Sequence, residues 1–225
     1  MTIEPLALIA WLVWGTLVGV DLVTVPQGLL SRPIVAASVT GVLFGDPAVG
    51  LVVGMTLELY ALDVLPIGAA RYPDYGIAAV AAAAVAAHSP PTMAPAVAGL
   101  IGLPMAILGG WSLHRLRRFN AASVQRRLER VAAGDARAIW ELQRNGLIRD
   151  ALRSLAVTAV GVVVALMVTR IPWGELRHVE LLSWATVAGG LVAVLSGAVR
   201  SSGDGARRRW LAVGLGVGVL VVLIR

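Results

Sequence analysis

The chain has 225 residues, of which 58% are hydrophobic and only 14% charged, and its mean hydropathy is +0.81. An average soluble domain is about 25% charged, and one of this length would still turn roughly a quarter to a third of its surface to water; composition therefore excludes a soluble globule, and equally a disordered or fibrous chain. The formal charge of +6 would suit nucleic acid, but all 19 basic residues are Arg and they gather between apolar runs, the pattern of membrane orientation rather than of a nucleic-acid-binding face.

The length allows one compact bundle, an all-α polytopic membrane protein with a single integral membrane domain over residues 1–225. The absence of Cys excludes disulfides, thiol catalysis and thiolate metal sites. No basic n-region or A-x-A site precedes Asp21, so no cleaved signal peptide is expected. The first apolar run, Pro5 to Val20, is long enough to cross most of a ~30 Å hydrocarbon core. Trp11 and Trp14 within it suit either interfacial anchoring or bundle packing. From Pro33 to Tyr72 the apolar stretches are broken by Gly41, Gly45, Asp46, Pro47, Gly50, Gly54, Glu58, Asp63, Pro66 and Gly68. Such interruption is tolerated in lipid only where the backbone is buried in protein or lines a wet cavity, and it points to a transporter's binding region. Ile77 to Ala87 is Ala-rich and too short to span; His88-Ser89-Pro90-Pro91 ends it. Thr92 to Trp111 follows, which gives a re-entrant half-helix and then a full span, or else one long kinked helix.

The segment from His114 to Arg153 carries ten Arg against Glu129, Asp135, Glu141 and Asp150. Partial helical periodicity at Val124, Leu128, Val131, Ile139, Trp140 and Leu142 predicts one or two amphipathic helices on the cytoplasmic face of the bilayer, against anionic lipid or, on a sharper reading, a soluble partner. Three cleaner spans complete the chain: Leu155 to Thr169, Leu181 to Val199, and Trp210 to Ile224. The link from Arg170 to Glu180 is neutral and the one from Arg200 to Arg209 is basic, so both basic loops are expected to be cytoplasmic. The working division is a broken-helix half over 1–111, a basic amphipathic loop over 112–153, and three spans over 154–225.

Catalytic signals are poor. No Walker A motif, G-x-S-x-G or H-E-x-x-H occurs, and His88, His114 and His178 have no carboxylate at ligand spacing; no catalytic residue, metal or cofactor is expected. The spacings Gly15–Gly19, Gly41–Gly45, Gly50–Gly54 and Gly214–Gly218 are those of close helix packing. Acid within apolar sequence is more informative. Glu58 lies in Met-Thr-Leu-Glu-Leu-Tyr, and Asp74 follows Arg-Tyr-Pro. A charge near the bilayer centre costs about 2.5–3.5 kcal/mol on insertion scales, so such residues tend to be kept for function. The plainer role for Glu58 is an ion pair with Arg71 or Arg32. Asp46, in Gly-Asp-Pro, suits a helix N-cap or turn, and Asp63 has no evident partner. Carboxylates, a Gln amide and broken-helix backbone groups form a suitable set for sugar hydroxyls, which both donate and accept; Tyr60 or Tyr72 could stack on a sugar's apolar face.

The segment from Gln27 to Ala37, Gln-Gly-Leu-Leu-Ser-Arg-Pro-Ile-Val-Ala-Ala, resembles the Q-x-x-x-S-R-P-I-V-A segment of the membrane channel component, enzyme IIC, of the mannose/sorbose family of bacterial sugar phosphotransferase systems. The resemblance runs on through Gly41-Val-Leu-Phe-Gly-Asp, Gly50 to Gly54, Leu57-Glu-Leu, Pro66-Ile-Gly-Ala-Ala and Pro73-Asp74, in order and spacing, over about a quarter of the chain; Arg71, Tyr72 and Asp63 depart from the usual pattern. It implies an elevator-type sugar-translocating subunit in the bacterial inner membrane, paired with a homologous IID membrane subunit, with sugar phosphorylated by cytoplasmic IIB, itself charged by IIA. It also implies sugar contact for Gln27, Glu58 and Asp74. Two other readings stay open: a transport-incompetent relative that anchors or senses phosphotransferase proteins, and an unrelated ion-coupled secondary transporter with Glu58 or Asp74 as its ion site.

Overall fold

A computed structural model describes residues 4–64, 71–170 and 179–201, with isolated positions at 205, 209 and 212–214. Among these, regular structure is entirely helical. Three helices are long and apolar enough to cross a membrane: Pro91–Gln125, Ala136–Val168 and Val179–Gly197. Four shorter apolar helices accompany them: α1 (Pro5–Asp21), α2 (Pro33–Leu43), α3 (Pro47–Leu62) and α4 (Tyr75–Ala86).

Proline sets the start of three of the short helices, where its missing N–H and fixed φ fit the first turn: Pro5, Pro33 and Pro47 all sit there. Helices α2 and α3 form a tight hairpin. Gly45, at φ +82°, takes the left-handed turn conformation, and Asp46 caps α3 by accepting from the Val49 N–H at 3.0 Å, as its Gly-Asp-Pro context predicts. The hairpin closes backbone to backbone. A Cβ on Gly50 would lie 2.5 Å from the Ala37 carbonyl and 2.8 Å from the Gly41 Cα.

Helix α4 is the centre of the bundle. Ile77 to Ala86 are all at most 2% exposed, and the helix contacts α1, α2, α3 and the two long helices that follow it. A helix apolar all round is stable only when enclosed, and its run of alanines lets five neighbours approach. The chain then turns through His88 and Ser89, whose side chains bond the Ala84 and Val85 carbonyls. It continues as one rod, Pro91–Gln125, in which a 3₁₀ turn and a short π-helical stretch at Ala98–Gly102 precede α5 (Leu103–Gln125). The half-length helix, turn and long helix correspond to the reading made for Ile77 to Trp111.

The basic segment differs from expectation. Between His114 and Arg153 the chain does not form one or two separate amphipathic helices of its own. Instead α5 runs on past its apolar half to Gln125, a short α6 (Leu128–Ala132) makes the turn, and α7 (Ala136–Val168) runs back as an unbroken helix of 33 residues. Arg, Leu, Ala, Gln and Glu are all good helix formers, and the sequence offers a firm stop only at Gly134 (φ +75°). Asp135 then caps α7, accepting from the Arg137 and Ala138 N–H groups at 3.0 and 3.1 Å. The Arg130 guanidinium, 2.8 Å away, and these N–H groups hold its carboxyl below the usual range. The last described helix, α8 (Val179–Ser201), covers the predicted span Leu181 to Val199. Most of the predicted span Trp210 to Ile224, and Pro66-Ile-Gly-Ala-Ala with it, lies outside the described residues.

Trp11 and Trp14 pack within the bundle. Trp11 is fully buried and meets Phe44 edge-on with ring centroids 5.1 Å apart; the Trp14 indole donates to the Ala36 carbonyl at 3.1 Å. The glycine spacings are packing contacts at Gly15 and Gly19, which lie against Thr158 and Ser154 of α7, and at Gly50 and Gly54 against α2. Gly45 meets nothing within 4 Å, so Gly41–Gly45 is not a packing motif on both members, and Gly218 of the Gly214–Gly218 pair lies outside the described residues.

Candidate functional site

A cavity of about 260 Å³ opens where α1 and α3 end and α2 and α4 begin. Its polar lining comes from Asp21, Gln27, Ser31, Arg32, Tyr72 and Tyr75. Four helix termini meeting at one polar space is the arrangement by which discontinuous helices offer backbone groups and dipole ends to a ligand.

The loop from Leu22 to Arg32 forms one wall, and Asp21 holds it in place. This carboxylate, 2% exposed, accepts from the Gly28 N–H at 2.5 Å and the Ser31 N–H at 2.9 Å. Gln27 (φ +56°) and Leu29 (φ +68°) both adopt left-handed backbone conformations that cost a non-glycine residue about 1–3 kcal/mol and concentrate at functional sites. Gln27 is exposed and lines the cavity.

Glu58, in the last turns of α3, is a clamp on the start of α2. Its Oε1 forms an ion pair with Arg32, and its Oε2 accepts from the Ile34 N–H at 3.1 Å. The carboxylate thus meets the positive end of the α2 dipole and the guanidinium next to it. The ion pair that sequence offered as the plainer role for Glu58 is present, with Arg32 and not Arg71, which is exposed. Arg32 lines the cavity, and Glu58 stands behind it.

Asp74 has no exposed surface. Its Oδ1 accepts from the Ile77 N–H at 3.3 Å, capping α4, and its Oδ2 accepts from Arg153 of α7 at 3.1 Å. Pro73 and Tyr75 on either side line the cavity; Asp74 itself fixes the wall from behind. Arg153 is the node of this region. Its side chain is 7% exposed, pairs with Asp150 at 3.0 Å as well as with Asp74, and donates to the Gly19 carbonyl at 3.1 Å and the Ser154 hydroxyl at 3.1 Å. Asp150 in turn accepts from Thr24, in the cavity loop. Three charges buried together are tolerable because both carboxylates accept hydrogen bonds from the one guanidinium between them, and the cluster ties α1, α4, α7 and the loop at one point. A second tie runs from α5: Arg117 donates to the Tyr72 hydroxyl and its Cζ stands 4.7 Å above that ring's centroid.

Of the three residues expected to touch ligand, the structure therefore places Gln27 on the cavity surface, Glu58 one residue behind it, and Asp74 buried in the wall. Tyr72 lines the cavity, whereas Tyr60 donates to the Thr186 carbonyl at 2.7 Å and joins α3 to α8. Sequence reasoning missed Asp21, Tyr75, Asp150 and Arg153. For the last pair a signal existed: an acid and an Arg three residues apart, immediately before the apolar run from Leu155. Among the described residues no group of three or more His, Cys, Asp or Glu could hold a metal ion.

Fold and site together define a multi-pass helical membrane protein that encloses a polar cavity with half-length helices. Comparison with known proteins identifies the kind. The model of the family described as the sorbose-specific IIC component of the PTS system matches residues 5–200, and the chain belongs to that family, as an EIIC-type component of a phosphotransferase system and a multi-pass protein of the bacterial inner membrane. It is similar to the sorbose-specific EIIC component of Lacticaseibacillus casei, 32% identical over 198 residues, covering 87% of this chain and 69% of that one. The fructose permease IIC component of Bacillus subtilis (strain 168) is 24% identical over 85% of this chain and 70% of its own length. The mannose-specific EIIC component of Escherichia coli (strain K12) is 28% identical over 61% of this chain and 50% of its own. A solved structure described as that of a membrane protein superposes with a TM-score of 0.67 over 99% of this chain and 94% of that one, at 20% identity, and shares the fold.

Proposed function

We propose that this chain is the sugar-translocating subunit of a mannose-family phosphotransferase system, and that sugar binds in the cavity walled by Gln27, Arg32, Tyr72 and Tyr75. The observation that carries this reading is that the cavity is assembled from the segments that mark the family: the Gln27–Pro33 stretch, the Glu58 helix and the Pro73-Asp74 turn. A volume of about 260 Å³ lies just below the range of drug-sized pockets and suits a ligand of monosaccharide size. Amide, guanidinium and phenol groups supply donors and acceptors for hydroxyls, and the tyrosine rings supply apolar faces. Glu58 orients Arg32 toward the ligand, and Asp74 holds the opposite wall through Arg153. The chain works with a homologous IID membrane subunit and hands its sugar to cytoplasmic IIB, charged by IIA, for phosphorylation. Support for the partners comes from the family alone, and the chain carries no phosphoacceptor motif of its own.

The test is reconstitution with a charged phosphocarrier system. Liposomes holding this chain and its IID partner should accumulate phosphorylated sugar, and liposomes holding this chain alone should not. Ion-driven uptake by the chain alone would overturn the reading. In the paired system Glu58→Gln removes the carboxylate that orients Arg32 and should weaken sugar binding by up to about 1.5–3 kcal/mol, the range for a hydrogen bond to a charged group, without loss of assembly. Normal affinity in that variant would remove the Glu58–Arg32 pair from the site.

A further inference from the structure

One face of the rod Pro91–Gln125 is exposed along α5 and changes character midway. Leu100, just before α5, with Pro104, Ile107 and Trp111 forms its first half, with Ile107 66% exposed; Arg115, Arg118, Phe119, Ala122 and, just past the end of α5, Arg126 continue the same stripe. The second group lines a shallow hollow of about 450 Å³. The border is marked by Arg115, whose guanidinium stands 4.5 Å above the Trp111 ring centroid, the pairing of an amphipathic aromatic with a cation found where a helix leaves the hydrocarbon.

The other arginines of the hairpin are mostly engaged within it. Arg127 pairs with Glu141 at 2.9 Å, Arg130 with Asp135 at 2.7 Å, Arg149 bonds Asn120 and Ser123, Arg153 sits in the buried cluster and Arg117 on Tyr72. Among the described residues no acidic side chain pairs with Arg115, Arg118 or Arg126. Three uncompensated guanidiniums around an exposed Phe, directly above an apolar stripe on the same helix face, match the two halves of one molecule. Acyl chains lie along Leu100, Ile107 and Trp111, and a phosphodiester headgroup reaches the arginines, whose fork geometry suits phosphate oxygens.

From this continuity we infer that the outer face of α5 is a binding site for an anionic phospholipid, with Arg115 and Arg118 holding the headgroup phosphate, Phe119 and Trp111 flanking it, and Arg126 adding positive charge at the far end of the hollow. A soluble acidic protein would use the arginines but has no use for the apolar stripe beneath them.

The experiment is native mass spectrometry of the full chain in detergent micelles, titrated with phosphatidylglycerol, phosphatidylcholine and inorganic phosphate. Phosphatidylglycerol should be retained at least tenfold more tightly than phosphatidylcholine, and inorganic phosphate in excess should not displace it. The double variant Arg115→Gln with Arg118→Gln should lose about 25-fold in phosphatidylglycerol affinity, at about fivefold per arginine at an anionic surface. The double variant Arg137→Gln with Arg144→Gln, of equal charge on α7, should lose less than threefold, and Arg115→Lys with Arg118→Lys, which keeps the charge without the fork, should fall between the parent and the Gln double. Equal retention of the two lipids, displacement by inorganic phosphate, or equal losses in the two Gln doubles would each overturn the inference. So would full retention of phosphatidylglycerol by the Arg115→Gln with Arg118→Gln variant.

Discussion

At position 27 a glutamine occupies a backbone conformation that glycine would hold at no steric cost, and it does so at the lip of the cavity. Replacement by Gly separates the two consequences of that choice. Gln27→Gly should leave stability unchanged or raise it by up to about 1 kcal/mol, because strain is relieved while unfolded-state entropy rises. It should weaken sugar binding by about 1 kcal/mol, one neutral hydrogen bond. Thermal unfolding and titration calorimetry on the same preparation give both numbers, and full affinity with raised stability would show that Gln27 does not touch sugar. Arg153 poses the opposite case, a residue remote from ligand on which the site's walls converge. Arg153→Met leaves the Asp74 and Asp150 carboxylates buried without their cation and should cost about 3–5 kcal/mol. Adding Asp74→Asn and Asp150→Asn should recover part of that loss. A single variant within 1 kcal/mol of the parent in reversible unfolding would show that the cluster contributes little.

Among the elements, the α2–α3 hairpin and α7 make contrasting demands on glycine. Gly50→Ala would force a methyl against the Ala37 carbonyl and the Gly41 Cα, both backbone, and should destabilise by about 1–3 kcal/mol. Gly146→Ala, in the interior of α7 with its nearest neighbour, the Asn120 amide, at 3.8 Å, should stabilise by about 0.5–1 kcal/mol. Melting temperatures in one detergent test both, and a neutral Gly50→Ala would mean that the hairpin can open without cost. These elements were unequally legible in sequence. Gly50 and Gly54 announced close packing, Asp46 its cap, and the Ala-rich run an enclosed half-helix, because each is a local requirement of backbone or side chain. The basic segment misled, because its charge describes which medium surrounds it and not how its helices are joined; helix propensity was the better guide to α7, though not to the turn at Arg126 and Arg127. Asp74 misled for a related reason. An acid in apolar sequence must find a partner, and sequence could not reveal that the partner was Arg153, 79 residues away.

On the scale of the whole molecule, the hairpin of α5 and α7 fixes orientation. Its concentration of Arg predicts a cytoplasmic tip, where Ala133 is exposed. Since the sequence has no Cys, a single Ala133→Cys substitution can be read without background. A membrane-impermeant maleimide should label it in inverted vesicles and not in intact cells, and labelling from outside would invert the topology.

Helix α7 also carries a mechanical implication. It runs without interruption from its cap at Asp135 through Arg153 into the apolar bundle. The tip of the hairpin and the charged node behind the cavity wall are thus two points on one stiff rod, about 27 Å apart at 1.5 Å per residue. No break in the helix lies between them, and Gly146 is the one glycine on the way. Gly19, Thr24 and Asp74 are all bonded to Arg153 or Asp150 near its inner end, so tilting the rod would shift three parts of the cavity wall at once.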